Sequence, residues 1–171
     1  IGGSQGAESI NESIDANLKL FIENDIQIIW QTGKYYFNKA IDTQKKSGNK
    51  YIQVLEFIKR MDMAFAAADI VISRAGAIAI SELTAVKKTV IFVPLPSATE
   101  DHQTKNALKL VNNEAALLIK NSEAKEKLGK IVIDLFNNEN QMNVLKNNIG
   151  KMAIKNSAGK IVDEIMKLVG E

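Results

Sequence analysis

The chain has 171 residues, 46% hydrophobic and 25% charged, which is enough for one domain with a complete core. It has no cysteine and one histidine, which excludes a disulfide framework, a thiolate metal site and a multi-histidine metal centre. The net charge of +2 is too small to indicate nucleic-acid binding, and no apolar run approaches the ~20 residues that span a bilayer. We expect a cytoplasmic location and no nucleic-acid partner.

The chain opens on a glycine-rich turn. Ile1–Ala7 has the pattern of a strand end that runs into a turn, but only Ile1 precedes the glycines. A central strand normally has about five residues. We therefore expect this chain to be a fragment that begins just before or inside its first strand.

Short apolar runs then alternate with segments of helical periodicity. The predicted strands are Ile26–Gln31, Tyr51–Leu55, Asp69–Ile72, Thr89–Val93 and Ala115–Ile119. The predicted helices are Glu8–Ile22, Tyr35–Lys46, Met61–Ala68, Ala77–Val86 and His102–Asn112, followed by a helical remainder from about Ser122. Most of the strands are apolar on both faces, which favours a parallel sheet covered by helices on both sides. The expected fold is therefore α/β, a Rossmann-like, doubly wound parallel sheet.

In such a sheet, ligands bind at the carboxyl ends of the strands. The glycine turns at Gly2–Gly6, Gly33 and Gly76 all follow predicted strands, as does the loop at Pro94–Asp101. We therefore expect these segments to meet at one edge, although they lie far apart in the sequence.

The most informative segment is Ser73–Glu82, a strand end, a glycine turn and a helix start. A helix that begins directly after a strand presents free N–H groups and a positive dipole end to a phosphate. Arg74 is a suitable partner for the same anion, and Glu82 could accept hydrogen bonds from sugar hydroxyls. The motif indicates a nucleotide or nucleotide-sugar. The alternative, close packing at Gly76 with a solvated Glu82, is about as common for an isolated motif of this kind.

Two further motifs have competing interpretations. Phe57–Met61 follows a strand and could form a slot for a base, although core packing is the commoner role of such residues. Asp101–Ala107 is rich in carboxylate and amide groups that suit sugar hydroxyls, while Asp101 could also be a simple helix cap. Gln31–Gly33 offers no acidic residue for an adenosine ribose, so an NAD site is not expected.

Taken in order, these motifs resemble the C-terminal domain of the MurG family, bacterial transferases that move N-acetylglucosamine (GlcNAc) from UDP-GlcNAc to a lipid-linked muramyl-pentapeptide. The matching segments, which span about two thirds of the chain, are Gly2–Ala7, Gln31–Lys34, Phe57-Ile58 with Met61, Ala67–Asp69, Ser73–Ala77, Ser81-Glu82, Phe92–Pro94, Asp101–Thr104 and Asn106-Ala107. The resemblance implies one domain of a GT-B glycosyltransferase, with residues 1–171 forming the donor-binding domain and the N-terminal acceptor domain absent.

The resemblance also implies which residues contact UDP-GlcNAc. They are Ser4, Gln5, Phe57, Ile58, Met61, Arg74, Gly76, Ala77, Ile78, Ala79, Glu82, His102, Gln103 and Asn106.

Within that set the implied roles follow the parts of the donor. The Ile58 backbone reads the uracil, flanked by Phe57 and Met61. The N–H groups of Ala77–Ala79 bind the diphosphate, close to Arg74 and Ser4. Some family members carry a hydroxyl residue in place of Ala79, so a side-chain contact to phosphate would be lost here.

For the rest of the donor, the resemblance places Glu82 on the ribose hydroxyls. Gln103 and His102 would contact the GlcNAc hydroxyls, supported by Asn106, and the varying loop length leaves open which of the two makes the main contact.

The implied reaction inverts the anomeric centre by direct displacement of UDP. The resemblance implies no metal and no cofactor, no catalytic residue within this chain, and a general base on the absent domain. It further implies a peripheral position on the cytoplasmic face of the bacterial membrane and a lipid-linked acceptor. Two alternatives stay open: another GT-B UDP-sugar enzyme, such as a UDP-GlcNAc 2-epimerase, and a non-catalytic nucleotide-binding module.

Overall fold

The computed structural model describes residues 6–96, 101–154 and 156–170. Its helices are α1 (Glu8–Glu23), α2 (Phe37–Ser47), α3 (Met61–Ala67), α4 (Ala77–Ala85), α5 (His102–Val111), α6 (Ala124–Phe136), α7 (Glu139–Lys151) and α8 (Ser157–Val169). Its strands are β1 (Ile28–Gln31), β2 (Ile52–Leu55), β3 (Ile70–Ser73), β4 (Thr89–Phe92) and β5 (Leu117–Leu118). The alternation of strands and helices agrees with the predicted order, and element ends differ by a few residues.

All strand pairs among the described residues are parallel, and their hydrogen bonds form two groups. β1 pairs with β2, while β3, β4 and β5 form the second sheet with β4 at its centre. The prediction of a Rossmann-like α/β fold with parallel strands is confirmed. Residues of β1 and of β3 line a largely apolar cavity of about 520 Å³, which we call the cavity between the sheets.

The core follows from the continuous apolar pattern of the strands. Every residue of β4 is buried, as expected for a central strand covered on both faces. Helix α1 packs along α6 on one side, with Phe21 and Leu128 fully buried between the layers. A second cluster, which includes Phe65, Leu83 and Ile149, packs against β3 and β4. These layers leave the carboxyl ends of the strands as the open edge.

A buried asparagine joins α1 to the end of β1. Asn11 is 2% exposed; its side chain donates to the carbonyl of Thr32 at 2.8 Å and accepts from Trp30 Nε1 at 2.9 Å. Gly6, with φ of +84°, approaches the same carbonyl so closely that a Cβ would lie 2.1 Å from Thr32 O. The start of α1 is thus fixed against the carboxyl end of β1, which sets one wall of the open edge.

We expect Asn11→Leu to lower the free energy of unfolding by about 2 kcal/mol, since it leaves the buried Trp30 N–H without an acceptor. Chemical denaturation followed by tryptophan fluorescence measures this directly, because Trp30 is the chain's single tryptophan. Asn17, whose side chain bonds backbone carbonyls in a more exposed setting, supplies the control Asn17→Leu. An equal loss in the two variants would contradict a special role for Asn11.

The C-terminal helix α8 differs from the others in having no buried residue. Ile161, Ile165 and Leu168 lie at helical spacing and are exposed. In the part of the chain that the structure describes, no helix has the length and hydrophobicity that a membrane crossing requires.

Candidate functional site

The carboxyl ends of β1, β2, β3 and β4 open onto a cleft of about 650 Å³. Eight of the predicted site residues line it: Phe57, Met61, Arg74, Gly76, Ile78, Ala79, Glu82 and Gln103. Other lining residues include Ser9, Gln31, Ser73, Leu95, Pro96 and Asn121. Residues that are separated by more than a hundred positions thus meet in one place, as predicted for a sheet edge.

The start of α4 forms the floor of this cleft. Gly76 is the N-cap, in an extended conformation with no side-chain cap, and the first helical bond runs from Ile80 N to Gly76 O. The N–H groups of Ala77, Ile78 and Ala79 therefore have no acceptor within the helix. Together with the positive end of the helix dipole they make a site suited to a phosphate.

Glu82 lies more than a turn further along α4 and also lines the cleft. Its side chain is exposed, and it has no hydrogen-bond or ion-pair partner among residues 6–96, 101–154 and 156–170. A carboxylate in this setting keeps its acceptor capacity for a ligand. Vicinal hydroxyls are a suitable donor pair for its two oxygens.

Arg74 is bound into the protein more extensively than its sequence position suggests. Its guanidinium donates to the carbonyls of Val93 at 2.9 Å and Pro94 at 3.1 Å, to Asn121 Oδ1 at 2.7 Å and to Ser9 Oγ at 2.9 Å. Arg74 thereby joins its own loop to three other segments around the cleft: α1, the loop after β4 and the turn after β5. All four partners are neutral, so the positive charge is not cancelled by a carboxylate among them.

This arrangement matters for anion binding. Burial lowers the pKa of the Arg74 guanidinium, but an arginine stays charged under all ordinary conditions. A fixed cation with neutral partners raises the electrostatic potential of the cleft, where α4 presents its N–H groups. Arg74 is thus placed to favour an anion through its field and to hold the walls of the cleft.

Gln103 has a comparable structural position on α5. Its side-chain oxygen accepts from the N–H of Ala75 at 3.2 Å and from the N–H of Leu95 at 3.0 Å. The loop after β3 and the loop after β4 are therefore held together by one amide group. Because the oxygen already has two donors, the side-chain NH₂ is the part of Gln103 that suits a ligand oxygen.

Phe57 and Met61 line the cleft next to the end of β2. Phe57 is 56% exposed, which is unusual for a phenylalanine and leaves its ring open to a flat ligand. Ile58 is buried and lines the cavity between the sheets. Its backbone N–H donates to Gln31 Oε1 at 3.2 Å.

Four predicted residues do not line this cleft in the structure. Ala77 is adjacent to it at the start of α4, and Ile58 lies behind it. His102 and Asn106 lie on the first turns of α5, beside Gln103, and His102 is exposed. Ser4 and Gln5 lie outside the described residues.

Three cleft residues, Ser9, Asn121 and Gln31, were given no role from the sequence. Ser9 Oγ donates to Asn121 Oδ1, and both contact Arg74. Asn121 lies three residues after the end of β5, so the rule that polar residues after strand ends share one edge could have found it. Ser9 could not be found in this way, because it lies within a predicted helix and nothing in the local sequence distinguishes it from other helical serines.

A scan against family models matches residues 1–165 to the glycosyltransferase family 28 C-terminal domain. The chain is 44% identical over 169 residues to a Parabacteroides distasonis protein and 46% identical over 169 residues to one from Flavobacterium psychrophilum. Each is named UDP-N-acetylglucosamine–N-acetylmuramyl-(pentapeptide) pyrophosphoryl-undecaprenol N-acetylglucosamine transferase. The matches cover 99% of this chain and 46% and 45% of those proteins, so the chain spans less than half of their length.

The crystal structure of Acinetobacter baumannii MurG matches with a TM-score of 0.79 and 30% sequence identity, covering 98% of this chain and 50% of that one. The similarity therefore extends over nearly all of this chain in both sequence and fold. The chain belongs to the glycosyltransferase family 28 C-terminal domain family.

Proposed function

We propose that this chain is the donor-binding half of an inverting glycosyltransferase that moves GlcNAc from UDP-GlcNAc to undecaprenyl-pyrophosphoryl-MurNAc-pentapeptide in peptidoglycan synthesis. The observation that carries the proposal is the cleft that unites the uncapped start of α4, the exposed Phe57 ring and the Glu82 carboxylate, which has no partner among the residues that the structure describes. These three features match a diphosphate, a ribose and a flat base. The names of the relatives supply the sugar and the acceptor.

In this proposal the diphosphate binds at the N–H groups of Ala77–Ala79 and Glu82 holds the ribose hydroxyls. The uracil lies beside Phe57 and Met61. The GlcNAc extends towards the start of α5, where Gln103 and His102 offer polar groups. Ser4 and Gln5 are further proposed contacts, near the diphosphate.

The chemical contribution of this half is to stabilise the leaving group. Displacement of UDP from the anomeric carbon places negative charge on the β-phosphate oxygens. The fixed N–H groups of α4 and the Arg74 charge favour that charge without reorganising. The acceptor hydroxyl must lose its proton to a general base, which we assign to the part of the transferase that binds the acceptor. This chain then holds the donor and does not transfer the sugar by itself.

The lipid-linked acceptor implies that the whole enzyme works at the cytoplasmic face of the membrane. We propose a peripheral association there, and consequences for cell-wall synthesis, cell shape and division when the enzyme is lost.

Titration calorimetry of the chain with UDP-GlcNAc, UDP and ADP tests the proposal. We expect saturable binding of UDP-GlcNAc and UDP, and binding of ADP at least about tenfold weaker, because a purine does not match a pyrimidine slot. A preference for ADP, or no binding of uridine nucleotides at millimolar concentration, would overturn the proposal and leave a non-catalytic interaction module as the better account.

A further inference from the structure

Gln31 lies where the proposed base pocket meets the core. It is the last residue of β1, it is 4% exposed, and it lines both the cleft and the cavity between the sheets. The neighbouring backbone is fixed, since Thr32 N donates to the Leu55 carbonyl and Gly33 N to the Glu56 carbonyl, both at 3.0 Å. The β1–β2 ladder thus continues up to the loop that carries Phe57 and Ile58.

The next donor in that loop, the Ile58 N–H, is bound to a side chain instead of to backbone. It donates to Gln31 Oε1 at 3.2 Å, in buried surroundings. Ile58 lines the cavity between the sheets, while Phe57 lines the cleft. The Ile58 N–H therefore lies at the boundary between core and cleft, and Gln31 occupies it.

A backbone N–H has one hydrogen, and a good hydrogen bond is directional. A base that is read by the Ile58 N–H must therefore take that hydrogen from Gln31. The two acceptors are chemically alike: the side-chain amide carries a carbonyl next to an N–H donor, and so does the uracil edge at O4 and N3. Gln31 thus presents the same acceptor and donor pair as the proposed ligand.

We infer that Gln31 is a built-in substitute for the base: its amide satisfies the Ile58 N–H in the donor-free protein and is displaced when a uracil binds. This inference rests on the proposed function, because it takes the cleft to be a uridine nucleotide site. It makes Gln31 a positioning residue that keeps the Ile58 N–H satisfied and aimed. Because the Ile58 N–H is a donor, the pocket favours a carbonyl acceptor, as in uracil, over the amino group of cytosine.

The exchange of Gln31 for the base determines how much free energy the Ile58 hydrogen bond adds to binding. Because one hydrogen bond is lost for each one gained at Ile58, the uracil edge gains little from this contact in the natural protein. Removal of the competing acceptor leaves the buried N–H unsatisfied in the free protein, which is costly. A base that binds the Ile58 N–H then removes this cost. A variant without the Gln31 amide oxygen should therefore bind uridine nucleotides more tightly than the natural protein.

The test is a titration of the 171-residue chain with UDP, comparing the natural protein, Gln31→Met and Gln53→Met. Methionine has a similar length and lacks the amide oxygen. Gln53 is an exposed glutamine on β2 that does not line the cleft, so its variant is a matched control. We expect Gln31→Met to bind UDP about three- to tenfold more tightly and Gln53→Met to bind it unchanged.

A purely structural role for Gln31 predicts the opposite sign, because a loosened loop binds the base less well. Unchanged or weaker UDP binding by a folded Gln31→Met, with binding retained in the natural protein, would overturn this inference and leave the proposed function in place. No UDP binding by the natural protein would overturn both.

A second measurement needs no variant. In the labelled natural protein, the hydrogen-bond scalar coupling between the Ile58 amide nitrogen and the Gln31 side-chain carbonyl carbon reports their bond. We expect this coupling in the free protein and its loss at saturating UDP. A coupling that persists with UDP bound, or one that is absent from the free protein, would contradict the displacement.

Discussion

Replacing Glu82 by alanine should weaken the binding of UDP by about ten- to hundredfold. The Glu82 carboxylate has no partner among the described residues and lines the cleft, so its acceptor capacity is available to the ribose. Hydrogen bonds to a charged group are worth about 1.5–3 kcal/mol, which corresponds to this range. The side chain is exposed on a helix, so the fold should tolerate the change.

The ribose contact is isolated by changing the ligand as well as the protein. The natural chain should prefer UDP to 2′-deoxy-UDP, and Glu82→Ala should show much less of that preference, as a coupled pair requires. Glu126→Ala, at an exposed position on α6 outside the cleft lining, is the control and should bind UDP as the natural chain does. If the natural chain, Glu82→Ala and Glu126→Ala all preferred UDP to 2′-deoxy-UDP by the same factor, the ribose role of Glu82 would be refuted.

Replacing Arg74 by methionine should lower the free energy of unfolding by about 2–4 kcal/mol. The change removes the Arg74 donor from the Val93 and Pro94 carbonyls in a partly buried site, and each unsatisfied carbonyl is costly. Asn121 Oδ1 loses one of its two donors and keeps the bond from Ser9 Oγ. UDP binding should weaken too, because the fixed positive charge is lost.

Urea denaturation and UDP titration measure the two effects separately. Arg60→Met is the matched control: Arg60 pairs with Asp62 on the surface at 2.6 Å, and such a pair contributes little. Its unfolding midpoint should match that of the natural chain. An Arg74→Met protein as stable as Arg60→Met would contradict the account of Arg74 as the tie between four segments.

The element order could be read from the sequence because the strands are short, apolar and β-branched, and because glycine turns separate them from the helices. Contacts between distant side chains could not, since they depend on spatial neighbours that no local pattern encodes. One example is Asn11, whose buried side chain bonds Trp30 and Thr32, 19 and 21 positions away.

The site was predictable in part for a similar reason. Arg74 was predicted from charge and position, and the structure shows it at the cleft, but its four partners come from α1, from the loop after β4 and from the turn after β5. Gln31 belongs to a recognisable motif, yet its contact with Ile58 appears only when both strand ends are placed side by side. Side chains that act through other protein groups leave little trace in a single sequence.

The most direct test of a uridine diphosphate site at the start of α4 is to follow the backbone amide signals of the ¹⁵N-labelled chain during titration with UDP-GlcNAc. We expect the largest chemical-shift changes at the amides of Ala77, Ile78 and Ala79. The amides of Phe57 and Ile58 should also shift. Changes confined to α8, or to residues that line only the cavity between the sheets, would contradict the account.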